Sequence, residues 1–232
     1  MLVTGFPAAA FATNCYVVAP AAGEECLVVD PGIGVLDTLA ATLERFRLRP
    51  AAVLLTHGHL DHLFSVTPVC GAHGVPAIVH ADDRYRVADP ITTLDPQLLA
   101  MLEAQFGSQR GWAEPDDVRT AADGETLELA GLAVTVSHAP GHTEGSVMFG
   151  LPDAPDGVDG VSTVLSGDVL FAGSIGRTDL PGGSMDAMLA SLRDKVLTLP
   201  DDAYVLPGHG PATTVGRERR TNPYLQQVAE HR

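Results

Sequence analysis

The sequence predicts a layered α/β domain, and two observations carry that prediction. Short apolar runs of strand length occur together with longer segments of helical periodicity. This arrangement occurs twice, over roughly residues 1–115 and 120–215, and each half begins with hairpin-like strands and gains helices later. A chain of 232 residues also buries about 70% of its unfolded surface, which is enough for a sizeable core. We therefore expect a single domain over 1–232, with helices packed in layers on sheets.

The first half is predicted to contain five strands and three helices. The strands are short apolar runs that cover 2–6, 14–19, 26–30, 51–55 and 76–79. The helices cover 35–47, 61–73 and 95–106. Residues 84–120 are the least regular stretch, with three prolines and two short helical patterns. We predict that they form an insertion near the mouth of a functional site.

The second half is predicted to be mostly strands, followed by two helices. The strands cover 126–129, 132–137, 146–150, 161–166 and 203–206, and the Pro- and Gly-containing segment 152–157 is expected to be a hairpin loop. A helix over 185–198 has Ser184 as its N-cap and ends before Pro200. A last helix over 223–231 has Asn222 as its cap and Pro223 at its first position.

The composition excludes several classes of partner. The net charge is −15 and the chain contains one lysine, so a nucleic-acid partner is not expected, because phosphate binding needs basic patches. No segment reaches the roughly 18 to 20 uninterrupted apolar residues of a membrane span. The uncharged N-terminal stretch lacks a basic region and contains Pro7 and Pro20, which argues against a signal peptide. Cys15, Cys26 and Cys70 are expected to be buried reduced thiols, and the protein is expected to be cytoplasmic.

The most informative segment is residues 56–62, Thr-His-Gly-His-Leu-Asp-His. Its three histidines and one aspartate directly follow an apolar run at 51–55. His57 and His59 are two residues apart, so an extended backbone points both to one face. Asp61 and His62 follow the turn and can face a second point a few ångströms away. Imidazole and carboxylate ligands suit zinc, iron or manganese, and this segment offers more of them than one ion uses.

Three later loops offer further ligands of the same kinds. His142 lies in the turn Pro-Gly-His-Thr, Asp168 follows the strand-like run 163–165, and His209 follows the run 203–206. Each of these residues is preceded by glycine, which allows sharp bending and close approach of the backbone to an ion. We leave the other histidines unassigned: His73, His80, His138 and His231.

These residues resemble the ligand pattern of metallo-β-lactamase-fold hydrolases. The order His-x-His-x-Asp-His, then His, then Asp, then His is matched without a gap, and the resemblance covers nearly the whole chain. Within that superfamily the chain is most similar to glyoxalase II, in its short bacterial form. The resemblance implies a four-layer αββα sandwich with the metal ions at one edge, between the two sheets. It also implies two divalent ions, with zinc expected and iron or manganese as alternatives.

The resemblance also implies a role for each ligand. His57, His59 and His142 would bind one ion, Asp61, His62 and His209 the other, and Asp168 would bridge both. Asp61 is assigned as the catalytic residue. In glyoxalase II relatives, the loop that corresponds to 176–179 contacts the thiol carrier, so Arg177 is assigned to substrate binding.

The resemblance implies hydrolysis of a hydroxyacyl thioester such as S-lactoylglutathione. A pair of ions supplies hydroxide at neutral pH, and a thiolate leaves readily without a strong acid. Only 23 residues follow His209, and Gly210-Pro211 stands where the long form of glyoxalase II has Glu-Tyr. The identity of the thiol carrier is therefore left undecided. Two alternative functions are kept. One is an iron-dependent persulfide dioxygenase, a class with a similar Gly-Arg-Thr-Asp loop. The other is a lactonase or another ester hydrolase. The oligomeric state is not predicted.

Overall fold

The computed structural model describes residues 1–91, 94, 96–106 and 112–230, and within them the strands form two six-stranded sheets. The first sheet has the order β1-β2-β3-β4-β5-β6 and consists of β1 (Leu2–Pro7), β2 (Asn14–Ala19), β3 (Glu25–Val29), β4 (Arg49–Leu54), β5 (Ala77–His80) and β6 (Val118–Ala121). Its first three strands are antiparallel, and β3 to β6 pair in parallel.

The second sheet takes up the second half of the chain. Its order is β12-β11-β10-β9-β8-β7, and it consists of β7 (Thr126–Leu129), β8 (Leu132–His138), β9 (Val147–Leu151), β10 (Thr163–Gly167), β11 (Tyr204–Pro207) and β12 (Thr213–Thr214). All its pairs are antiparallel except that of β10 with β11. Each sheet is therefore built from one continuous half of the sequence.

The helices connect the strands of each half. They are α1 (Leu36–Phe46), α2 (Leu60–Leu63), α3 (Val66–His73), α4 (Arg84–Ala88), α5 (Pro96–Phe106), α6 (Met185–Asp194), α7 (Val215–Thr221) and α8 (Pro223–Glu230), with short 3₁₀ turns at Ala81–Asp83 and Val196–Thr198. The predicted caps of α6 and α8 are present: the Ser184 hydroxyl accepts the backbone N–H of Ala187, and the Asn222 side chain accepts that of Tyr224. No helix of the described residues is long and apolar enough to cross a membrane.

A buried core lies between the two sheets, because successive strand residues point to opposite faces. Val18 and Leu54 of the first sheet pack in it with Phe149 and Leu165 of the second.

Two further cores lie on the outer faces. Val17 and Val53 pack with Leu39 of α1, and Val164 and Val205 pack with Leu192 of α6. Both faces of each sheet are therefore covered, and the predicted αββα sandwich is confirmed.

The structure differs from the predicted elements in a few places. The helix predicted over 61–73 is two helices, since the Ser65 backbone N–H donates to Pro31 O instead of continuing the first. The second helix begins at Val66, which places Pro68 in its first turn, where its missing N–H is tolerated. The α-helix predicted to 198 ends at 194. The sequence missed β6, β12, α4 and α7, and predicted helix residues 95 and 231 lie outside the described residues.

Candidate metal centre

Four loops at strand ends bring together all seven predicted ligand residues. The loop after β4 carries residues 57–62, and the loops after β8, β10 and β11 each add one residue. Their ligand-type atoms lie within 4.8 Å of one another in three overlapping groups: His57, His59 and His142; His57, His62 and Asp168; and Asp61, His62 and His209. The residues of each predicted ligand set therefore lie close together in the structure. The ligand role of each residue stays a prediction.

The ring nitrogens of the three-histidine group converge on one point. His57 Nε2 lies 3.1 Å from His59 Nδ1, which lies 2.8 Å from His142 Nε2. Zinc–nitrogen bonds of about 2.0–2.1 Å leave two ligand nitrogens of one ion about 3–3.4 Å apart. The observed separations are close to that range, so the group fits one ion.

The second nitrogen of two of these rings is fixed by a hydrogen bond. His142 Nδ1 donates to the Arg177 backbone carbonyl at 2.7 Å. His57 Nδ1 lies 3.1 Å from the Thr56 hydroxyl, which itself donates to Asp30 at 2.6 Å and therefore accepts from the ring. In both histidines the proton sits on Nδ1, which leaves the lone pair of Nε2 for an ion.

Asp30 holds His62 and the start of the ligand loop. Its carboxylate accepts His62 Nδ1 at 2.9 Å and the Thr56 backbone N–H at 2.8 Å. Asp30 is 2% exposed and has a φ of 50°, a left-handed conformation that is uncommon outside glycine. Asp30 therefore orients the ring of His62, a candidate ligand.

Asp61 and His209 face each other at the exposed side of the centre. The Thr13 hydroxyl donates to Asp61 Oδ2 at 2.9 Å, and His209 Nε2 lies 3.4 Å from the same oxygen. His209 Nδ1 donates to the Phe11 carbonyl at 3.1 Å, so its Nε2 also presents a lone pair.

Asp168 lies between the two groups. Its carboxylate oxygens lie 3.4 Å from His62 Nε2, 3.5 Å from His142 Nε2 and 3.6 Å from His209 Nε2. Among the described residues, His62 Nε2 and Asp168 Oδ1 are buried and have no hydrogen-bond partner. Two such orphaned atoms cost about 1–3 kcal/mol each, unless a cation binds between them. The residues therefore fit a pair of divalent ions that share Asp168.

Burial and neighbouring charge divide the histidines into two kinds. Burial lowers the pKa of His57, His59 and His142, in the case of His59 to about 2, so these rings are neutral and ready to bind an ion. Burial also acts against charge on His62. The carboxylates of Asp168, Asp61 and Asp30 outweigh it and raise the His62 pKa to about 10. An ion at this position therefore replaces a proton on the ring.

The centre opens into a cavity of about 450 Å³. Its polar floor consists of His59, Asp61, His142, Asp168 and His209. Its walls are largely apolar and include Phe11, Leu60, Leu94, Phe171 and Leu180. An apolar cavity with a few convergent polar groups is the usual form of a small-molecule site.

Arg177 lines this cavity, with its guanidinium already paired. The side chain is 60% exposed and binds the Asp179 carboxylate in bidentate fashion, at 2.8 and 2.6 Å. Its backbone carbonyl accepts from His142, as described above. The predicted role in substrate binding stays a prediction, and the internal pair with Asp179 is present.

Two buried residues near the centre, Asp83 and Arg86, were not indicated by any sequence pattern. Arg86 is fully buried and donates to Glu144 Oε2 at 2.8 Å and to the Pro181 carbonyl at 2.7 Å. Asp83, three residues earlier, is also fully buried. They lie in a polar stretch after β5, where exposed residues are expected. Only their burial in the structure distinguishes them from their neighbours.

A fourth group of ligand-type residues lies apart from the centre, at His80, Asp82 and His138. The two imidazoles stack at 3.9 Å between ring centroids. His138 Nε2 donates to the Glu144 carbonyl at 2.8 Å, and His80 Nδ1 accepts the Asp82 backbone N–H at 3.2 Å. This group consists of two histidines and one exposed aspartate, and none of the seven predicted ligand residues belongs to it.

The profile of the metallo-β-lactamase superfamily matches residues 8–209. An uncharacterized protein of Mycobacterium tuberculosis is 46% identical over 230 residues, which cover 99% of this chain and 100% of the relative. The hydroxyacylglutathione hydrolase GloC of Haemophilus influenzae is 34% identical over 94% of this chain and 95% of its own length.

Solved structures show the same architecture. The crystal structure of BLEG-1 B3 metallo-β-lactamase has a TM-score of 0.81 and 35% identity, and covers 97% of this chain and 99% of its own. TTHA1623, solved in a di-iron-bound form, has a TM-score of 0.72 and 36% identity, and covers 96% and 100%. ETHE1 from Myxococcus xanthus has a TM-score of 0.73 over 99% of this chain and 90% of its own. At 21% identity it supports the fold alone.

Proposed function

The chain belongs to the metallo-β-lactamase superfamily, and from that membership we propose that it is a two-metal hydrolase of hydroxyacyl thioesters. The substrate class is an acyl thioester of a low-molecular-weight thiol, such as S-lactoylglutathione. One observation carries the proposal above the others. Two groups of imidazole and carboxylate side chains lie on either side of the buried Asp168, at the floor of an apolar cavity.

The bound ions would supply hydroxide at neutral pH and polarise a carbonyl oxygen. The chain contributes the fixed positions that this chemistry needs. Asp30, Thr56 and the Arg177 carbonyl orient the rings of His62, His57 and His142, so each presents Nε2. Asp61, our candidate catalytic residue, is held by Thr13 at the side of the centre that faces the cavity.

The cavity supports an acyl substrate. Its apolar walls would exclude water from the acyl chain, while the carbonyl carbon lies over the polar floor. A thiolate leaves without a protonated acid, so cleavage of a thioester does not require a dedicated proton donor in the cavity.

Two of the similar proteins agree with this proposal in different respects. GloC, whose printed name is hydroxyacylglutathione hydrolase, supports the thioester class, because the similarity extends over nearly the full length of both chains. TTHA1623, solved in a di-iron-bound form, supports the binding of two ions. It also keeps iron as an alternative to zinc for the bound metal.

The experiment that tests the proposal measures two activities side by side. The protein is prepared in zinc and iron forms, its metal content is determined, and hydrolysis of S-lactoylglutathione and oxygen uptake with glutathione persulfide are followed. Because thioester hydrolysis needs no redox change, we expect the zinc form to cleave the thioester without oxygen uptake.

The opposite pattern would replace the proposal. Oxygen uptake by the iron form, with no thioester hydrolysis in any metal form, would identify a persulfide dioxygenase. Hydrolysis of lactones or simple esters without thioester cleavage would identify an ester hydrolase.

A further inference from the structure

We infer that Asp83 is a positioning residue that holds both ligand loops of the three-histidine group in metal-binding geometry. The inference rests on the proposed two-metal function and names a residue for which that function gives no role. Asp83 lies in the 3₁₀ turn Ala81–Asp83 after β5 and is fully buried.

The Asp83 carboxylate accepts hydrogen bonds from two separate loops. Its Oδ2 accepts the Gly58 backbone N–H and the Thr143 hydroxyl, each at 2.7 Å. Its Oδ1 accepts the Gly145 backbone N–H at 2.9 Å. One buried side chain therefore binds three residues that are distant from it in the sequence, by 25, 60 and 62 positions.

These donors lie next to the candidate ligands. Gly58 is the residue between His57 and His59, and Thr143 directly follows His142. None of the hydrogen bonds described for Asp83 goes to a ligand ring, so it acts through the backbone of the loops. It fixes the relative position of the loops that bring His59 Nδ1 within 2.8 Å of His142 Nε2.

Arg86 closes the same cluster from the other side. A Cβ at Gly58 would lie 2.5 Å from the Arg86 Cβ and 2.7 Å from its Cδ, so the arginine stem packs directly on the ligand loop. The Arg86 guanidinium lies 3.3 Å from Asp83 Oδ1 and donates to Glu144, in the second loop. The Arg86 guanidinium thus balances the negative charge of the buried Asp83 carboxylate.

Only a carboxylate suits this position. Its oxygens accept without donating, and a backbone N–H faces each of them. An asparagine would present its NH₂ group to the Gly58 N–H in one orientation and to the Gly145 N–H in the other. Asp83→Asn therefore keeps the shape of the side chain and breaks the link to one loop.

The test measures cobalt(II) affinity separately at the two groups. In the His209→Ala background the three-histidine group remains complete, and in the His59→Ala background the other group does. We expect Asp83→Asn to weaken cobalt binding about 10–100-fold in the first background, the usual effect of losing a residue that orients metal ligands. In the second background we expect a change of less than about twofold.

Asp82→Asn is the matched control. Asp82 is the preceding residue, its side chain is 56% exposed, and its removal takes away the same charge from the same turn. We expect Asp82→Asn to leave cobalt affinity unchanged in both backgrounds. An equal loss with Asp82→Asn would show that long-range charge, rather than loop positioning, is responsible.

Thr143→Val provides a second perturbation that does not depend on the folding of the Asp83 variant. It removes one donor to Asp83, so we expect cobalt affinity of the three-histidine group to fall about two- to tenfold, as for one neutral hydrogen bond. Equal weakening of both groups by Asp83→Asn, or no weakening by Asp83→Asn or Thr143→Val, would overturn the inference. A wild-type protein that binds two ions but cleaves no thioester would instead contradict the proposed function and leave this inference standing.

Discussion

A single carboxylate, that of Asp168, lies within 3.6 Å of ring nitrogens from both groups of candidate ligands. Its own position is set by β10, which ends at Gly167, and the Gly208 backbone N–H donates to the Gly167 carbonyl at 2.8 Å. The side chain is 8% exposed, so its negative charge is placed where only cations can balance it.

Changing Asp168 to Ala is predicted to disturb both metal positions at once, because one side chain serves both. We expect metal content to fall from about two ions per chain to below one in metal analysis of the purified protein. Asp202→Ala, which removes an exposed carboxylate, is the control and should retain both ions. Retention of two ions and full activity by Asp168→Ala would show that the bridging assignment is wrong.

Arg177 is predicted to pair with a carboxylate of the thiol carrier. Its bond to Asp179 lies at the surface, where water screens the pair, so the guanidinium can exchange partners. A charge-assisted hydrogen bond contributes about 1.5–3 kcal/mol, so Arg177→Ala should raise KM about tenfold or more and change kcat less.

Arg193→Ala is the matched control for Arg177→Ala, because Arg193 also pairs with an exposed neighbouring aspartate, Asp194, and does not line the cavity. Its KM should stay unchanged. An unchanged KM for Arg177→Ala with every thioester that is cleaved would leave this arginine only its structural pair with Asp179.

Sequence patterns predicted the candidate ligand residues and missed Asp83, which we infer holds two of their loops in place. The spacing of His57, His59 and His62 is local information, so it is visible without a structure. Asp83 is adjacent to Asp82 and looks equivalent in sequence, yet one is fully buried and the other exposed. The difference arises because the partners of Asp83 come from other loops, and no local pattern encodes them.

At the scale of elements, the centre depends on the close approach of two strand ends. Gly208 follows β11 beside the end of β10, and a Cβ there would overlap Asp168 Oδ1 and lie 2.7 Å from His62 Cε1. Since both of these neighbours are candidate ligands, a larger residue at this position would displace the ligands themselves.

Changing Gly208 to Ala is therefore predicted to lower thioester hydrolysis about 100-fold, the effect of a displacement of about 1 Å in an active site. The loss should appear together with reduced metal content in metal analysis. Gly71→Ala is the control, since a Cβ at this position in α3 meets nothing within 4 Å, and it should retain activity. Full activity in Gly208→Ala would mean that the strand ends separate more easily than the packing indicates.

The two strands that the sequence missed, β6 and β12, both lie at sheet edges, whereas the inner strands and the edge strands β1 and β7 were predicted. Buried strands such as β2 and β4 are continuous apolar runs, which the sequence displays directly. The edge strand β6 is Val-Arg-Thr-Ala, with two exposed residues, so its apolar signal is too short to recognise. The break between α2 and α3 was missed for another reason, since it depends on the bond from Ser65 to Pro31 in a distant loop.

At the scale of the whole molecule, the candidate ligands come from both sheets. Residues 57–62 follow β4 of the first sheet, and His142, Asp168 and His209 follow strands of the second. Bound ions would therefore link the two halves of the sandwich, in addition to the apolar core between them.

Removal of the ions is predicted to destabilise the entire fold. A ligand at 100 times its dissociation constant stabilises the native state by about 2.7 kcal/mol. In a chain of this size each kcal/mol shifts Tm by about 2–4 °C, so treatment with a chelator should lower Tm by about 5–11 °C. Thermal unfolding followed by fluorescence measures this shift.

Asp168→Ala serves as the control for the chelator. Because this variant should bind the ions weakly, adding the chelator should change its Tm very little. An unchanged Tm of the wild-type protein, with loss of both ions verified by metal analysis, would mean that the ions contribute nothing to the cohesion of the halves.

The layered architecture was predictable at two levels. The repeated order of strands and helices indicated two similar halves, and each half forms one sheet. The stacking of these sheets face to face followed from the resemblance of the ligand pattern, because periodicity alone does not specify which faces meet.

The separation of the candidate ligands along the chain also has a consequence for how the protein acquires its ions. Asp61 and His62 are synthesised well before His209, so the second candidate ligand group is incomplete until the ribosome has added His209. No ion can be selected by this group before that moment. Because sites of one geometry and ligand type discriminate among divalent metals partly through ion availability, the metal found in the protein should reflect the ions present when the group is completed. Cells grown in iron-rich and zinc-rich media would then yield the same polypeptide with different ions.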